Sequence, residues 1–188
     1  MVDEHQVAGA VLTGGQSRRM GRDKALVQVD GLPMAQLVAA TMVEGGCDSV
    51  VLVGGDAGRF GSIGLAVLDD RWPGQGPLGG IITALEHTGV PTLVAACDLP
   101  WLDATTVRSL TRLREATEEW TDIVLATTDR DEPMCACWMP SALPKLQRQF
   151  DAGQRAIHVA IGSLRVLRLP VARAALRNVN TPDDMPPA

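Results

Sequence analysis

A chain of 188 residues with 46% apolar and 21% charged side chains holds the material for one buried core, which excludes a disordered or fibrous protein. A net charge of −5, only 3% aromatics and no Tyr argue against a general nucleic-acid coat or a base-stacking platform. Cys47, Cys97, Cys135 and Cys137 form no Cys-x-x-Cys pair and His5, His87 and His158 are scattered, so neither a structural zinc site nor a dithiol redox centre is expected.

Residues 1–6 are acidic and lack the basic and apolar regions of a secretory leader. No apolar run nears the roughly 20 residues that span a bilayer. A cytoplasmic protein with free thiols and no membrane anchor is the expectation.

Residues 7–13 form a short apolar run that meets Gly14-Gly15, the pattern of a buried strand entering a glycine turn. A polar loop to Lys24 follows and carries Arg18, Arg19 and Arg22. The spacing of Met34, Leu37, Val38, Thr41 and Met42 predicts a helix over 33–44, with Pro33 as its first residue and Gly45-Gly46 as its stop. Residues 49–53 and 65–68 read as strands ended by Gly54-Gly55 and Asp69-Asp70. Residues 77–87 read as a helix and 92–96 as a strand ended by Cys97-Asp98. Asp103 is placed to cap a helix running to about residue 116. Residues 123–126 and 134–138 are further strands, the second a hairpin or edge element. Helices over 141–150 and 155–161 and a last strand over 164–169 complete the chain. The strands are continuous apolar runs, as in a parallel sheet covered on both faces. With no repeat or linker, one α/β domain is expected.

In open α/β sheets, ligands sit at the carboxyl ends of the strands. Three polar features fall there: the loop from Leu12 to Lys24, the pair Asp69-Asp70, and Asp98. The loop is neither a Walker A motif nor a Gly-x-Gly-x-x-Gly fingerprint. Gly14 and Gly15 nevertheless admit close backbone approach, and Arg18, Arg19, Arg22 and Lys24 add charge suited to a triphosphate; a solvated surface turn is the alternative. Lys24 and Lys145 are the only lysines among 17 Lys and Arg residues. A compact ammonium suits bridging phosphate oxygens where the planar guanidinium does not. Asp98, before Leu99-Pro100, is placed to hold Mg²⁺, which takes one or two carboxylates plus phosphate oxygens. Asp69-Asp70 is either a turn or a ligand pair. The shaped loop over 71–80, with four glycines and two prolines, offers amides that can read a flat base edge. Cys135 and Cys137 share one side of a strand and read as core.

The motifs Leu12-Thr-Gly-Gly-x-Ser-x-Arg-Met-Gly-x-Asp-Lys24, Gly76-Pro-Leu-Gly-Gly80, Cys97-Asp98-Leu-Pro100 and Asn178-Val-Asn-Thr-Pro-Asp-Asp184 together resemble the molybdenum cofactor guanylyltransferase family of MobA-type nucleotidyltransferases. The resemblance implies a Rossmann-like three-layer αβα sandwich with a mostly parallel sheet, like that of nucleotide-diphospho-sugar transferases. Its nucleotide-binding half would span about 1–100 and its acceptor-binding half about 101–188. It implies transfer of GMP from MgGTP to the phosphate of Mo-molybdopterin, with release of pyrophosphate. By similarity, Leu12, Thr13, Gly14, Gly15, Lys24, Asp70 and Asp98 would bind GTP, with Lys24 and Asp98 catalytic. Asp98 would hold Mg²⁺, and Arg18 and Arg19 are candidate phosphate contacts. Asn178 and Asn180 would lie on the acceptor or metal side. The ligand following the second strand maps nearest to Val53 or Gly54. Glu132-Pro133 departs from the Gln or His that relatives carry before Pro. Proteins that deliver the pterin and accept the finished cofactor are implied partners; nucleic acid and membrane are not. Within the same fold, a cytidylyltransferase and a sugar-1-phosphate nucleotidyltransferase are the alternatives. Outside enzymes, the alternative is a nucleotide-binding partner protein.

Overall fold

The computed structural model describes residues 6–14, 24–115, 117–180 and 184. Its elements follow as β1 (Ala8–Leu12), a hairpin of β2 (Gln28–Val29) and β3 (Leu32–Pro33), α1 (Met34–Glu44), β4 (Ser49–Val53), α2 (Ala57–Phe60), β5 (Ala66–Leu68), α3 (Pro77–Thr88) and β6 (Thr92–Ala96). Then come α4 (Ala104–Glu115), β7 (Ile123–Thr127), β8 (Asp131–Trp138), α5 (Leu143–Asp151), α6 (Ile157–Ile161) and β9 (Val166–Pro170).

Seven strands form one sheet in the order β5-β4-β1-β6-β8-β7-β9. β5, β4, β1 and β6 run parallel, β8 is antiparallel to both of its neighbours, and β9 is parallel to β7. The period of two along each strand makes two apolar layers. Val11, Leu93, Ala95, Cys135 and Cys137 enter the layer covered by α1 and α4. Ala10, Leu12, Val94, Ala136 and Trp138 enter the layer covered by α3 and α5. The result is the expected three-layer sandwich with a mostly parallel sheet. Among the described residues no helix is long and apolar enough to cross a membrane.

Three local expectations are corrected. β8 forms the expected hairpin with β7 but is an interior strand, not an edge one, because it also pairs with β6, and its residues 135–138 are buried. Pro33 stands at the cap position instead of inside α1, since it ends β3 opposite Gln28 and the Met34 N–H is taken by the Val27 carbonyl. α6 begins at Ile157, because the Gln154 side chain accepts the backbone N–H groups of Arg155 and Ala156 and holds those residues in a turn. The Asp103 cap is borne out: its Oδ1 accepts the Thr106 N–H at 2.7 Å.

Cys135 is fully buried, and that burial, with Glu132 and Asp103 acting in the same direction, pushes its thiol up to about 12. It carries no thiolate near neutral pH and serves as core.

Asp122, fully buried just before β7, ties three elements. It accepts Ser141 Oγ at 2.8 Å, the Lys145 ammonium, the Arg165 N–H at 2.8 Å and Arg165 Nη2 at 2.9 Å. Burial alone would raise its carboxyl pKa, but the hydrogen bonds from Arg165, Lys145 and Ser141 hold it well below the usual carboxylate range. Because the folded group ionises at lower pH than the unfolded one, its contribution is complete above the unfolded value of about 3.9 and is lost as pH falls below it. Asp122→Asn should therefore cost roughly 3 kcal/mol at pH 7. That difference should shrink when urea unfolding is repeated near pH 3. An unchanged urea midpoint at pH 7 would refute the clamp.

Candidate active site

The register sets the site's floor. Leu12 lies opposite Val53 on one side and Ala96 on the other, and Val53 lies opposite Leu68, so four parallel strands end flush. The turns after them, at Thr13-Gly14, Gly54-Gly55, Asp69-Asp70 and Cys97-Asp98, meet along one edge of the sheet.

Thr13 is buried and spends its hydroxyl on the chain itself, donating to the carbonyls of Gly54 at 2.5 Å and Val53 at 3.1 Å. Leu12 is buried too: its carbonyl accepts the Cys97 N–H at 3.1 Å and its side chain lies under Gly80. These two residues build the turn, while Gly14 is its exposed backbone. Gly54 has φ +81, and a Cβ there would come within 3.0 Å of Gly14 Cα. The two turns touch because neither has a side chain. Val53 and Gly54 thus act as supports for the first turn. Asp70 Oδ1 accepts the Trp72 N–H at 2.9 Å, and its Oδ2 lies 3.8 Å from where a Gly14 side chain would begin. Gly15, Arg18, Arg19 and Arg22 lie outside the described residues.

Lys24, Asp98, Asn178 and Asn180 are brought into one cluster. Lys24 Nζ donates to Asp98 Oδ2 at 2.5 Å and to Asn180 Oδ1 at 2.9 Å. Asn178 Nδ2 donates to Asp98 Oδ1 at 3.1 Å, and the Val179 N–H donates to the Asp98 carbonyl at 3.0 Å. Alternation explains the Asn-Val-Asn order: Asn178 faces the carboxylate and Asn180 the Lys24 ammonium, while Val179 is fully buried with Val29 and Met34. The Lys24 and Asp98 side chains are each 17% exposed. Their attraction is therefore weakly screened, yet both remain reachable by a ligand. Among the described residues no group of three or more His, Cys, Asp or Glu side chains is gathered.

The loop over 71–80 is braced from the α5 side. Arg155 Nε donates to Gln75 Oε1 at 2.8 Å while its guanidinium stacks on Phe150, and the Trp72 ring packs 4.9 Å from that of Phe150. Trp72 is thus a packing residue, and the Arg71 guanidinium also stands over its ring at 4.7 Å from the centroid. Beside the cluster opens a cavity of about 530 Å³ lined by Thr128, Arg130, Glu132, Arg173, Arg177, Asn178 and Asn180 among others. Glu132 accepts Arg130 Nε at 2.9 Å and Thr128 Oγ1 at 3.1 Å. A second cavity of about 480 Å³ shares Arg130, Glu132 and Asn178 with the first. The roles of Arg155, Arg130 and Arg177 had no signal in the sequence, where arginines are spread along the whole chain.

The model of the MobA-like NTP transferase domain matches residues 9–165. The molybdenum cofactor guanylyltransferase of Rhodobacter capsulatus is 34% identical over 96% of this chain and 93% of its own. The probable molybdenum cofactor guanylyltransferase of Opitutus terrae is 32% identical over 95% of this chain and 92% of its own. Among solved structures, molybdopterin-guanine dinucleotide biosynthesis protein A from Archaeoglobus fulgidus superposes with a TM-score of 0.78 at 28% identity, covering 94% of each chain.

Proposed function

The chain belongs to the MobA-like NTP transferase family, and from that premise we propose that it transfers GMP from MgGTP to the phosphate of Mo-molybdopterin, releasing pyrophosphate. The observation that carries this reading is the cluster of Lys24, Asp98, Asn178 and Asn180, which joins residues 74, 80 and 156 positions apart at the carboxyl edge of the sheet. Residues to about 100 serve the nucleotide, and those from about 101 onward serve the acceptor.

The chemistry asks little of acid–base groups. The acceptor is a phosphate monoester, largely ionised near pH 7 because its second pKa is about 6. One of its oxygens bonds to the α-phosphorus of GTP as the bond from that phosphorus to the β-phosphate oxygen breaks, and pyrophosphate leaves with the electron pair. The task is to align two anions and neutralise them. Lys24, now bonded to Asp98 and Asn180, turns its ammonium to the β- and γ-phosphates. Gly14 and Gly15 offer backbone to the same phosphates, with Arg18 and Arg19 as further contacts, and Asp70 lies at the nucleotide beside Gly14. The amides of loop 71–80 face the guanine.

Asp98 suits Mg²⁺: one carboxylate at a strand end, oriented by Asn178, leaves the remaining positions to phosphate oxygens and water. Such an ion, when bound, neutralises charge on the phosphates that meet and part. Asn178 keeps the carboxylate aimed when Lys24 moves away.

The test mixes protein, Mg²⁺ and GTP with and without Mo-molybdopterin and follows pyrophosphate. Release should require the acceptor, and CTP in place of GTP should support much less. Nucleotide binding without acceptor-dependent release would reduce the protein to a binder.

A further inference from the structure

We propose that Arg177 grips the phosphate of the acceptor and that Trp101 positions it, an inference that rests on the transferase reading above. Three guanidinium groups line the cavity beside Asp98. Arg130 is taken by Glu132, with Nε and Oε1 2.9 Å apart, and Arg173 lies 3.9 Å from Asp129. Arg177 is exposed and forms no ion pair among the described residues. Its Cζ stands 3.7 Å above the ring centroid of Trp101.

That stacking decides what the group offers. A planar guanidinium laid on an aromatic ring uses its face, and its N–H donors stay in the plane, free to fork two phosphate oxygens. The chain on either side is pinned. Leu176 is buried in the core, and Asn178 holds Asp98. Trp101 belongs to the turn that carries Asp98, so ring, carboxylate and guanidinium share one rigid support. Lys24 thus serves the nucleotide, while Arg177, one residue from the amide on Asp98, presents the second cation that joining two anions requires.

The experiment follows pyrophosphate from MgGTP while Mo-molybdopterin is titrated, and separately while GTP is titrated. Arg177→Ala should raise the acceptor KM roughly 10- to 100-fold, with the GTP KM changed by less than about twofold. Arg177→Lys should recover part of the loss, because an ammonium supplies charge without the fork. Trp101→Leu should raise the acceptor KM, and Trp101→Phe should raise it less, since a ring face remains. A rise confined to the acceptor KM and graded in this way supports the assignment. An unchanged acceptor KM in Arg177→Ala, or an equal rise in both KM values, overturns it. Wild-type protein that releases no acceptor-dependent pyrophosphate overturns the transferase reading itself, and is told apart because it arises before any variant is compared.

Discussion

Lys24→Ala should lower kcat/KM for MgGTP by about 10²–10³, the effect of losing one preorganised cation where charge develops as pyrophosphate leaves. Lys24→Arg should recover only part of this, because the guanidinium is larger and its fork does not match a point contact. The structure adds a consequence for stability. Lys24 is bonded to Asp98 at 2.5 Å with both side chains only 17% exposed, so the ligand-free variant leaves a half-buried carboxylate without its counter-charge. A cost of roughly 1–3 kcal/mol follows, or about 2–4 °C in Tm per kcal/mol for a chain of this size. Steady-state rates measured beside melting curves separate the two effects. A Lys24→Ala enzyme that keeps more than about a third of wild-type kcat/KM, a loss under ~0.7 kcal/mol, would remove Lys24 from the phosphate site.

Asp98→Asn should be at least as damaging, with activity falling by about 10³. The amide keeps the shape of the carboxylate and one oxygen for Asn178 Nδ2, but it takes away the charge that faces Lys24 and that would hold Mg²⁺. The Mg²⁺ concentration needed for half-maximal activity should rise in the same variant. Because Lys24 and Asp98 touch, the double variant should lose much less than the product of the two single losses. A variant that turned over at the wild-type rate at equal Mg²⁺ would show that Asp98 is not the metal's carboxylate.

Much of this architecture was legible in the residues because local rules and tertiary demands agreed. The apolar runs at residues 49–53 and 92–96 became β4 and β6 with the same bounds, since strands buried on both faces have no room for polar side chains. Pro77 opened α3 and Asp103 capped α4, both through contacts within a few residues. Gly14, Lys24, Asp70 and Asp98 stood out by type and place, and Asn178 and Asn180 by the family resemblance. What no local pattern contains is who meets whom across the chain. The interior place of β8 depends on pairing with β6, some 40 residues earlier, and a strand in a hairpin with β7 looks alike at an edge or in the middle when its second neighbour is that distant in sequence. The brace from Arg155 to Gln75 and the stack of Arg177 on Trp101 are of the same kind. Residue type and periodicity determined which segments would be strands and helices and which polar groups would be left at strand ends. Only the tertiary structure decided which of many arginines face a neutralising carboxylate and which remain open to an anion, because that depends on distances between segments with no neighbour relation in the sequence.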